Sequence, residues 1–346
     1  MLPVAELHLH IEGTLEPELL VRLAARNGVA LPSTDVERLR AGYTFGNLQS
    51  FLDLYYANLL VLQTEQDFYD LAAAYLARAV AAGVRRAEIF FDPQTHLGYG
   101  VPLEAVLGGL AAALDDARED HGISADLILC FLRDQGADAA RDTLRKALPF
   151  RDQFIGVGLD SAEVGYPPAL FREVYQLAAA EGLRLVAHAG EEGGPGYVRE
   201  AIDVLNVERV DHGVQSTQDP EVVARLRDRR IALTVCPLSN IALRVFDRLA
   251  DHVLPEMLDA GLLACVNSDD PAYFGGYVDD NLAAVRDEFG LDDAAMATLA
   301  RNSFAACFAP EQDKRRWQAE VDAWLADRSQ QASEASEASE ANEPAS

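Results

Sequence analysis

Histidine and carboxylate residues end several short apolar runs of this chain, and these residue types commonly bind metal ions. The first such run reads ELHLHIEG at residues 6–13. Residues two apart on a strand project to the same face, so His8 and His10 would point together. Two imidazoles on one face are a natural pair of metal ligands, although such a pair can also lie on a solvated strand edge. By itself this motif is a weak signal.

Three further runs end in residues of the same kinds. They are LRLVAHAGE at 183–191, which ends in His188 and Glu191, VERVDHG at 207–213, which contains His212, and LACVNSDDP at 263–271, which contains Asp269 and Asp270. Four of the seven histidines therefore lie at the C-terminal ends of predicted strands. In a closed barrel of parallel strands these ends meet at one mouth, where active sites of such folds lie. One histidine could be a core or turn residue, but all four together indicate a single site.

The chemistry that these residues suggest is hydrolysis at a single metal ion. The candidate ligands are three imidazoles and one carboxylate: His8, His10, His188 and Asp269. This donor set suits zinc and leaves one position for water, whose pKa the metal would lower towards neutrality.

Three other residues could act on protons or substrate beside this metal. Glu191 lies outside the ligand set and could transfer a proton, while His212 could take or hold the proton of the bound water. Asp270 could orient a substrate nitrogen. The only two lysines, Lys146 and Lys314, fall in predicted helices, so a carboxylated lysine bridging two metals is not expected.

The elements that must position these residues are strands alternating with helices. The predicted strands are 5–11, 86–91, 125–132, 154–160, 183–188, 207–212, 231–236 and 262–267, and amphipathic segments include 102–118, 168–181, 218–229 and 253–260. Eight such units predict an α/β fold of the (β/α)₈ TIM barrel type. A doubly wound open sheet is the alternative, but no strand is followed by its GxGxxG loop.

Two segments add helices to the predicted barrel. Residues 14–85 form an unusually long first connection that includes FLDLYY at 51–56. An insertion there can build a lid over the mouth, but for most of it we expect helices that pack outside the barrel. Residues 280–328 are predicted to form closing helices.

The chain's charge limits its partners. It has 346 residues, with 29 Lys and Arg against 56 Asp and Glu, and a net charge of −27. This acidity argues against binding to nucleic acid or to an anionic membrane surface. No apolar window is long enough for a transmembrane span, and the first residues do not resemble a secretory signal. Four widely spaced cysteines without a CxxC pair favour a reduced, cytoplasmic location.

The C-terminal boundary is visible in composition. From residue 329 the chain reads SQQASEASEASEANEPAS, which has no aromatic or branched apolar residue. Such a segment cannot bury a core. We therefore expect a barrel over residues 1–328 and a disordered acidic tail over 329–346.

The motifs HLHIEG, HAGE, DHG and NSDDP, in this order, resemble the adenosine and adenine deaminase family of amidohydrolase barrels, over residues 5–328. The resemblance implies one zinc ion per subunit, held by the four ligands named above. It also implies that Glu191 protonates the purine ring nitrogen next to the reacting carbon. His212 would assist the attacking water, and Asp270 would bind a nitrogen of the imidazole ring. The HxE and PCxxC signature of cytidine-type zinc deaminases is missing.

Details of the motifs favour the adenine branch of this family. Glu12 stands where adenosine enzymes usually carry Asp, and GLDSAEVG at 158–165 also resembles the adenine branch. Glu12 and Glu163 are expected to fill the space of a ribose, although Glu163 could instead only shape a loop.

The resulting prediction is zinc-dependent deamination of adenine to hypoxanthine and ammonia, in purine salvage. The alternatives are an adenosine deaminase, a deaminase of N6-substituted adenines, another barrel hydrolase, and a silent purine-binding protein. A homo-oligomer is possible, and its size is not predictable from sequence.

Overall fold

The core of the protein is a barrel of eight parallel strands. The computed structural model describes residues 1–340, and each strand in it is hydrogen-bonded to the next in chain order. The strands are β1 Val4–His10, β2 Val84–Phe91, β3 Ser124–Leu132, β4 Gly156–Asp160, β5 Arg184–Ala189, β6 Arg209–His212, β7 Ala232–Val235 and β8 Ala264–Val266. The predicted (β/α)₈ barrel is confirmed, and the predicted strand ends agree to within about two residues, the usual uncertainty of such boundaries.

Helices connect the strands and extend beyond the last one. In the described part of the chain they are α1 Pro17–Asn27, α2 Val36–Ala41, α3 Leu48–Leu59, α4 Glu65–Ala82, α5 Pro93–Gly98, α6 Leu103–His121, α7 Gly136–Ala147, α8 Arg172–Ala180, α9 Pro195–Glu200, α10 Pro220–Arg229, α11 Pro237–Ala242, α12 Leu254–Asp259, α13 Pro271–Phe274, α14 Val278–Phe289, α15 Asp293–Ala306 and α16 Glu311–Glu340. The long insertion after β1 thus forms α1 to α4, and α4 packs along α6 outside the sheet.

The barrel closes between β1 and the segment that follows β8. The backbone N–H of Asp269 donates to the carbonyl of His8 at 3.0 Å, and the N–H of His10 donates to the carbonyl of Asp269 at 3.0 Å. Just before these residues in the sequence, the N–H of Leu7 donates to the side-chain oxygen of Asn267 at 2.8 Å. These bonds join the last strand to the first and satisfy backbone groups that an open edge would leave exposed.

Buried charges inside the barrel are paired. Arg209 and Glu88 are both fully buried, and Nη1 of Arg209 lies 2.5 Å from Oε2 of Glu88. Arg209 also donates to the carbonyl of Leu7 at 3.0 Å, and Arg86 lies 3.0 Å from the other oxygen of Glu88. Although burial alone would raise the pKa of Glu88, the two guanidinium groups lower it. The interior therefore holds these charges without leaving one unpaired, which would be strongly destabilising.

The last helix continues beyond the predicted domain boundary. Helix α16 extends to Glu340, and the disorder of the tail over residues 329–346 stays a prediction. Ala, Glu and Gln are good helix formers, so a composition that cannot build a core can still extend a helix. Residues 341–346 lie outside the described part of the chain, and the domain boundary at residue 328 remains a prediction.

No helix among residues 1–340 is both long enough and apolar enough to cross a membrane.

Truncation after Arg328 tests the boundary. Among the α16 residues whose exposure is described, the last fully buried side chain is that of Val321. Leu325 is partly buried, and both residues stay in the truncated chain. We expect the melting temperature to stay within about 2 °C of that of the full chain. The removed residues whose exposure is described, 329–331, 333 and 334, are exposed, and changes at such positions alter stability by less than about 0.5 kcal/mol. Calorimetry of both chains measures this, and a loss of more than about 5 °C would place the boundary further along the chain.

Candidate active site

Four side chains from three parts of the barrel converge at the C-terminal mouth of the strands. His8, His10, His188 and Asp269 each offer one ligand atom, and these atoms lie within 4.8 Å of one another. Nε2 of His8 is 3.3 Å from Oδ1 of Asp269, and Nε2 of His10 is 3.1 Å from Nε2 of His188. All four residues are buried. The structure thus brings together the whole predicted ligand set.

The protein orients the ring of His8 so that one nitrogen is available as a ligand. Nδ1 of His8 lies 3.0 Å from the hydroxyl of Thr234, which donates at 2.8 Å to Asp211. Nδ1 therefore carries the proton, and Nε2 is a buried nitrogen with no hydrogen-bond partner among the described residues. A second carboxylate oxygen of Asp211 lies 3.8 Å from Nδ1 of His188. Such outer contacts are what metal-bound imidazoles usually have.

These residues fit a metal ion with nitrogen and oxygen ligands. The hydroxyl of Ser239 donates to Oδ2 of Asp269 at 2.6 Å, so Oδ1 is left to face the imidazoles. Another cluster shares His8 and Asp269 but adds His212 and Cys236. Burial raises the pKa of the Cys236 thiol, which disfavours the thiolate that a metal requires. The set with three imidazoles and one carboxylate is therefore the better candidate.

Glu191 lies beside this cluster and lines the cavity at the mouth. Its Oε2 is 3.5 Å from Nε2 of His212, and its Oε1 is buried with no hydrogen-bond partner in the part of the chain that the structure describes. Burial, followed by the nearby charge of Asp269, raises the pKa of Glu191 well above its usual value. A carboxyl group in this position retains a proton that it can donate to a substrate.

Glu163 does not line the cavity, which differs from the expectation that it forms a pocket wall. Its carboxylate accepts hydrogen bonds from four consecutive backbone N–H groups, those of Gly190, Glu191, Glu192 and Gly193, at 2.6–3.0 Å. The alternative reading, in which Glu163 shapes a loop, describes this geometry. The loop it shapes is the one that carries Glu191.

Glu12 is likewise turned away from the cavity. It is fully buried, and its Oε1 accepts from the backbone N–H of Asp92 at 3.0 Å and lies 2.9 Å from Nε2 of His96. Glu12 therefore holds the turn after β2 and does not itself fill the space of a ribose. The next residue, Gly13, is required by close packing, because a Cβ atom there would lie 2.1 Å from a carboxylate oxygen of Asp270.

Three residues at the mouth have the left-handed backbone conformation that non-glycine residues rarely adopt. The φ angles are 62° for His212, 66° for Asp269 and 67° for Ser161. Such conformations cost about 1–3 kcal/mol each and persist where the surrounding structure enforces them. Here they turn side chains from the strand ends into the cavity.

Helix α3 covers the mouth with apolar and aromatic side chains. Its cavity-lining residues are Leu48, Phe51, Leu52, Tyr55 and Tyr56. The hydroxyl of Tyr56 lies 3.2 Å from that of Ser161, which joins α3 to the segment after β4. This part of the insertion therefore forms a wall of the cavity, unlike α4.

Two carboxylates of this cavity are absent from the predicted site residues. Asp92 follows β2 and Asp160 ends β4, and both line the cavity. Oδ2 of Asp160 lies 3.5 Å from Nδ1 of His10, and burial raises the pKa of Asp160 to about 7. The rule that singled out His188 and Asp269, a polar residue at the C-terminal end of a strand, would have found both.

An eight-stranded barrel with three imidazoles and a carboxylate at the mouth defines a metal-dependent hydrolase of the amidohydrolase type. The family model described as adenosine deaminase matches residues 3–324 of the chain. The chain belongs to this family and is a hydrolytic deaminase, so the resemblance of its motifs is confirmed.

Similar proteins include enzymes named adenine deaminase. One from Streptomyces coelicolor is 62% identical over 93% of this chain and 96% of its own length, and one from Ralstonia nicotianae is 58% identical over 94% and 95%. The crystal structure of adenine deaminase from Arthrobacter aurescens has a TM-score of 0.92 and 56% identity, covering 94% of this chain and 99% of that one.

A more distant relative is relevant to the identity of the metal ion, because its structure contains zinc. The crystal structure of an amidohydrolase from Burkholderia ambifaria with bound zinc has a TM-score of 0.86 and 30% identity, covering 94% of this chain and 92% of that one. The family and the ligand cluster together imply a metal ion at this site.

The contacts of Glu163 predict that Glu163→Gln lowers turnover. A glutamine side chain keeps one acceptor oxygen but places an NH₂ group against backbone N–H donors, so the loop that carries Glu191 must shift. A displacement of about 1 Å at a catalytic group can cost about 100-fold in rate, and we expect kcat to fall to that extent. Steady-state kinetics measure it.

Glu192→Gln is the matched control for this variant. It removes a carboxylate from the same loop, but no side-chain hydrogen bond of Glu192 is found among the described residues. We expect its kcat to stay within about threefold of the unsubstituted protein. Equal losses in both variants would mean that the charge of the loop matters and that its four hydrogen bonds do not.

Proposed function

We propose that the protein is a zinc-dependent adenine deaminase that converts adenine and water to hypoxanthine and ammonia, in purine salvage in the cytoplasm. The observation that carries this proposal is the pair of buried carboxyl groups, Glu191 and Asp270, that line one cavity together with the metal-ligand cluster. The names and the 56–62% identities of the relatives support adenine as the substrate.

The four ligand residues would hold one zinc ion, which supplies a water with its pKa lowered towards neutrality. Glu191 then donates its proton to N1, the ring nitrogen beside C6. Protonation there draws electrons from C6 and favours attack by the water oxygen, because the ring's negative charge is neutralised as it develops. One proton of the attacking water would return to the Glu191 carboxylate and restore its protonated form. The other would pass to the exocyclic amine, which leaves as ammonia while C6 keeps the oxygen.

Asp270 would bind the other side of the purine. Burial, followed by the charge of Asp269, raises the pKa of Asp270 well above its usual value, so its carboxyl group carries a proton. A protonated carboxyl can donate a hydrogen bond to the lone pair of N7. Glu191 and Asp270 together would then fix the orientation of the ring, with C6 facing the ligand cluster.

The lining of the cavity favours a neutral substrate of small size. Among the described residues that line it there is no Lys or Arg, so a nucleotide phosphate would find no cationic partner. The apolar side chains of α3 close over the mouth and suit the face of a planar base. The chain's net charge of −27 also disfavours an anionic substrate.

Glu191→Gln should retain zinc and lose most turnover. The glutamine amide has nearly the same shape but cannot supply the proton for N1, and general acid catalysis contributes about 10²- to 10⁴-fold. Elemental analysis and adenine turnover measure the two properties, with Glu192→Gln as the control from the same loop. Near-normal turnover of Glu191→Gln would remove Glu191 from the proposed mechanism.

Substrate choice is tested by parallel assays with adenine, adenosine and N6-methyladenine. We expect kcat/KM for adenine to exceed that for adenosine by at least about 100-fold, because the wall formed by α3 leaves little room for a ribose. Chromatography separates the products hypoxanthine and inosine. Preference for adenosine, or for the N6-methyl base, would assign the corresponding alternative activity.

A further inference from the structure

Beyond the cavity, the far ring nitrogen of His212 begins a chain of buried polar groups. Nδ1 of His212 lies 3.5 Å from the side-chain nitrogen of Asn240, in helix α11. The side-chain oxygen of Asn240 lies 3.1 Å from Nε2 of His252, and the backbone N–H of Leu254 donates to Nδ1 of His252 at 3.1 Å. His212, Asn240 and His252 are all buried.

The backbone N–H of Leu254, at the end of this series of polar groups, fixes the direction of every hydrogen bond in the series. The N–H of Leu254 can only donate, so Nδ1 of His252 must accept and carries no proton. Burial lowers the pKa of His252 to about 4, so near neutral pH its single proton lies on Nε2. This N–H needs an acceptor, which must be the oxygen of the Asn240 amide.

The same reasoning extends to His212. Because the Asn240 oxygen faces His252, its NH₂ group faces His212, and an amide nitrogen only donates. Nδ1 of His212 therefore accepts, and the proton of the neutral ring lies on Nε2. That nitrogen points into the site, 3.5 Å from Glu191 and 3.7 Å from Asp269.

We propose that Asn240 and His252 are positioning residues that hold His212 in the tautomer protonated at Nε2. This inference rests on the proposed role of His212 beside the attacking water. A ring in this tautomer acts through Nε2 as a hydrogen-bond donor to the water oxygen and cannot take a proton there. The sequence left open that His212 takes or holds the proton of the water. In this tautomer the geometry points instead to a hydrogen bond that holds the water by its oxygen.

We call the hydrogen-bonded series from Leu254 through His252 and Asn240 to His212 the relay. The backbone around Asn240 holds it in place. The N–H of Asn240 donates to the carbonyl of Cys236 at 2.9 Å, and the carbonyl of Asn240 accepts from Val245 at 2.9 Å and Phe246 at 3.2 Å. The ring of Phe246 also packs against His252, with ring centroids 4.9 Å apart. The backbone that carries the Asn240 side chain is thus anchored through both its N–H and its carbonyl, and outer contacts of this kind orient functional histidines.

Asn240→Asp tests the relay with almost no change of shape. A carboxylate can only accept, so His212 should move its proton to Nδ1 and leave Nε2 bare. We expect kcat to fall about 100-fold, the cost of losing one aligned donor in an active site, while KM and zinc content change less than threefold. ¹⁵N NMR of histidine-labelled protein, with zinc and without it, reports the tautomer directly.

A pair of variants at His252 separates the relay from simple packing. In His252→Gln the amide can accept from Leu254 and donate to Asn240, so the relay is retained and kcat should stay within about threefold. In His252→Phe a ring still packs against Phe246 but makes no hydrogen bond, so kcat should fall at least tenfold. Equal activity of these two variants would contradict the proposal.

The NMR measurement is independent of the proposed function. A proton on Nδ1 of His212 in the unsubstituted protein would overturn the relay whatever the enzyme's activity. Normal kcat in Asn240→Asp with a moved proton would also overturn it, because the tautomer would then not matter. Lack of adenine turnover in the unsubstituted protein, with the proton on Nε2, would instead contradict the proposed function alone.

Discussion

Closure of the barrel and assembly of the metal-ligand cluster are the same structural event. The two backbone hydrogen bonds that join the first strand to the segment after the last one are made by His8, His10 and Asp269, which are three of the four candidate ligands. About 260 residues separate the two sides of this seam. The side chains can meet only when the whole barrel is complete, so the site cannot persist when the fold is lost. The left-handed conformation of Asp269 is enforced by these bonds, which place its carboxylate over the imidazoles of β1.

Two carboxylates that do not line the cavity, those of Glu12 and Glu163, hold the loops at the mouth in place. Glu163 collects four backbone N–H groups beneath the loop of Glu191, and Glu12 holds the turn that presents Asp92. In a low-dielectric interior such charge-assisted hydrogen bonds are stronger than bonds between neutral groups. Loops without regular secondary structure are thereby held as firmly as strand ends. Catalytic groups need this, because small displacements are costly to the rate.

Much of the fold and the ligand cluster could be predicted because both depend on local periodicity and on one topological rule. Strand ends of a parallel barrel converge, so a histidine at the end of β5 and a carboxylate after β8 must be near each other whatever lies between them. The roles of Glu12 and Glu163 could not be predicted, because they depend on backbone groups whose positions no motif encodes. Glu163 faces N–H groups nearly 30 residues further along the chain.

The relay from Leu254 to His212 was hidden for a similar reason. Its direction follows from one backbone N–H, and nothing in the spacing of His212, Asn240 and His252 indicates that they are in contact. The carboxylates Asp92 and Asp160 were not predicted for another reason. Each is an acidic residue at the end of a strand without histidine or paired acids, so it lacks the pattern that marked the other strand ends. The extent of α16 was not predicted, because composition reports on core formation and says little about helix propensity.

Because of the position of α3, the reacting groups and the apolar wall of the cavity come from different segments, whereas many enzymes build both from the same residues. The barrel supplies the reacting groups, whereas the apolar wall over the mouth comes from a helix inserted after β1, tied to the rim through Tyr56 and Ser161. Substitutions in this helix can reshape the cavity without moving the imidazoles or Glu191. Descendants of such a scaffold can therefore exchange one purine substrate for another through changes in a single inserted segment, while the reaction itself is inherited unchanged.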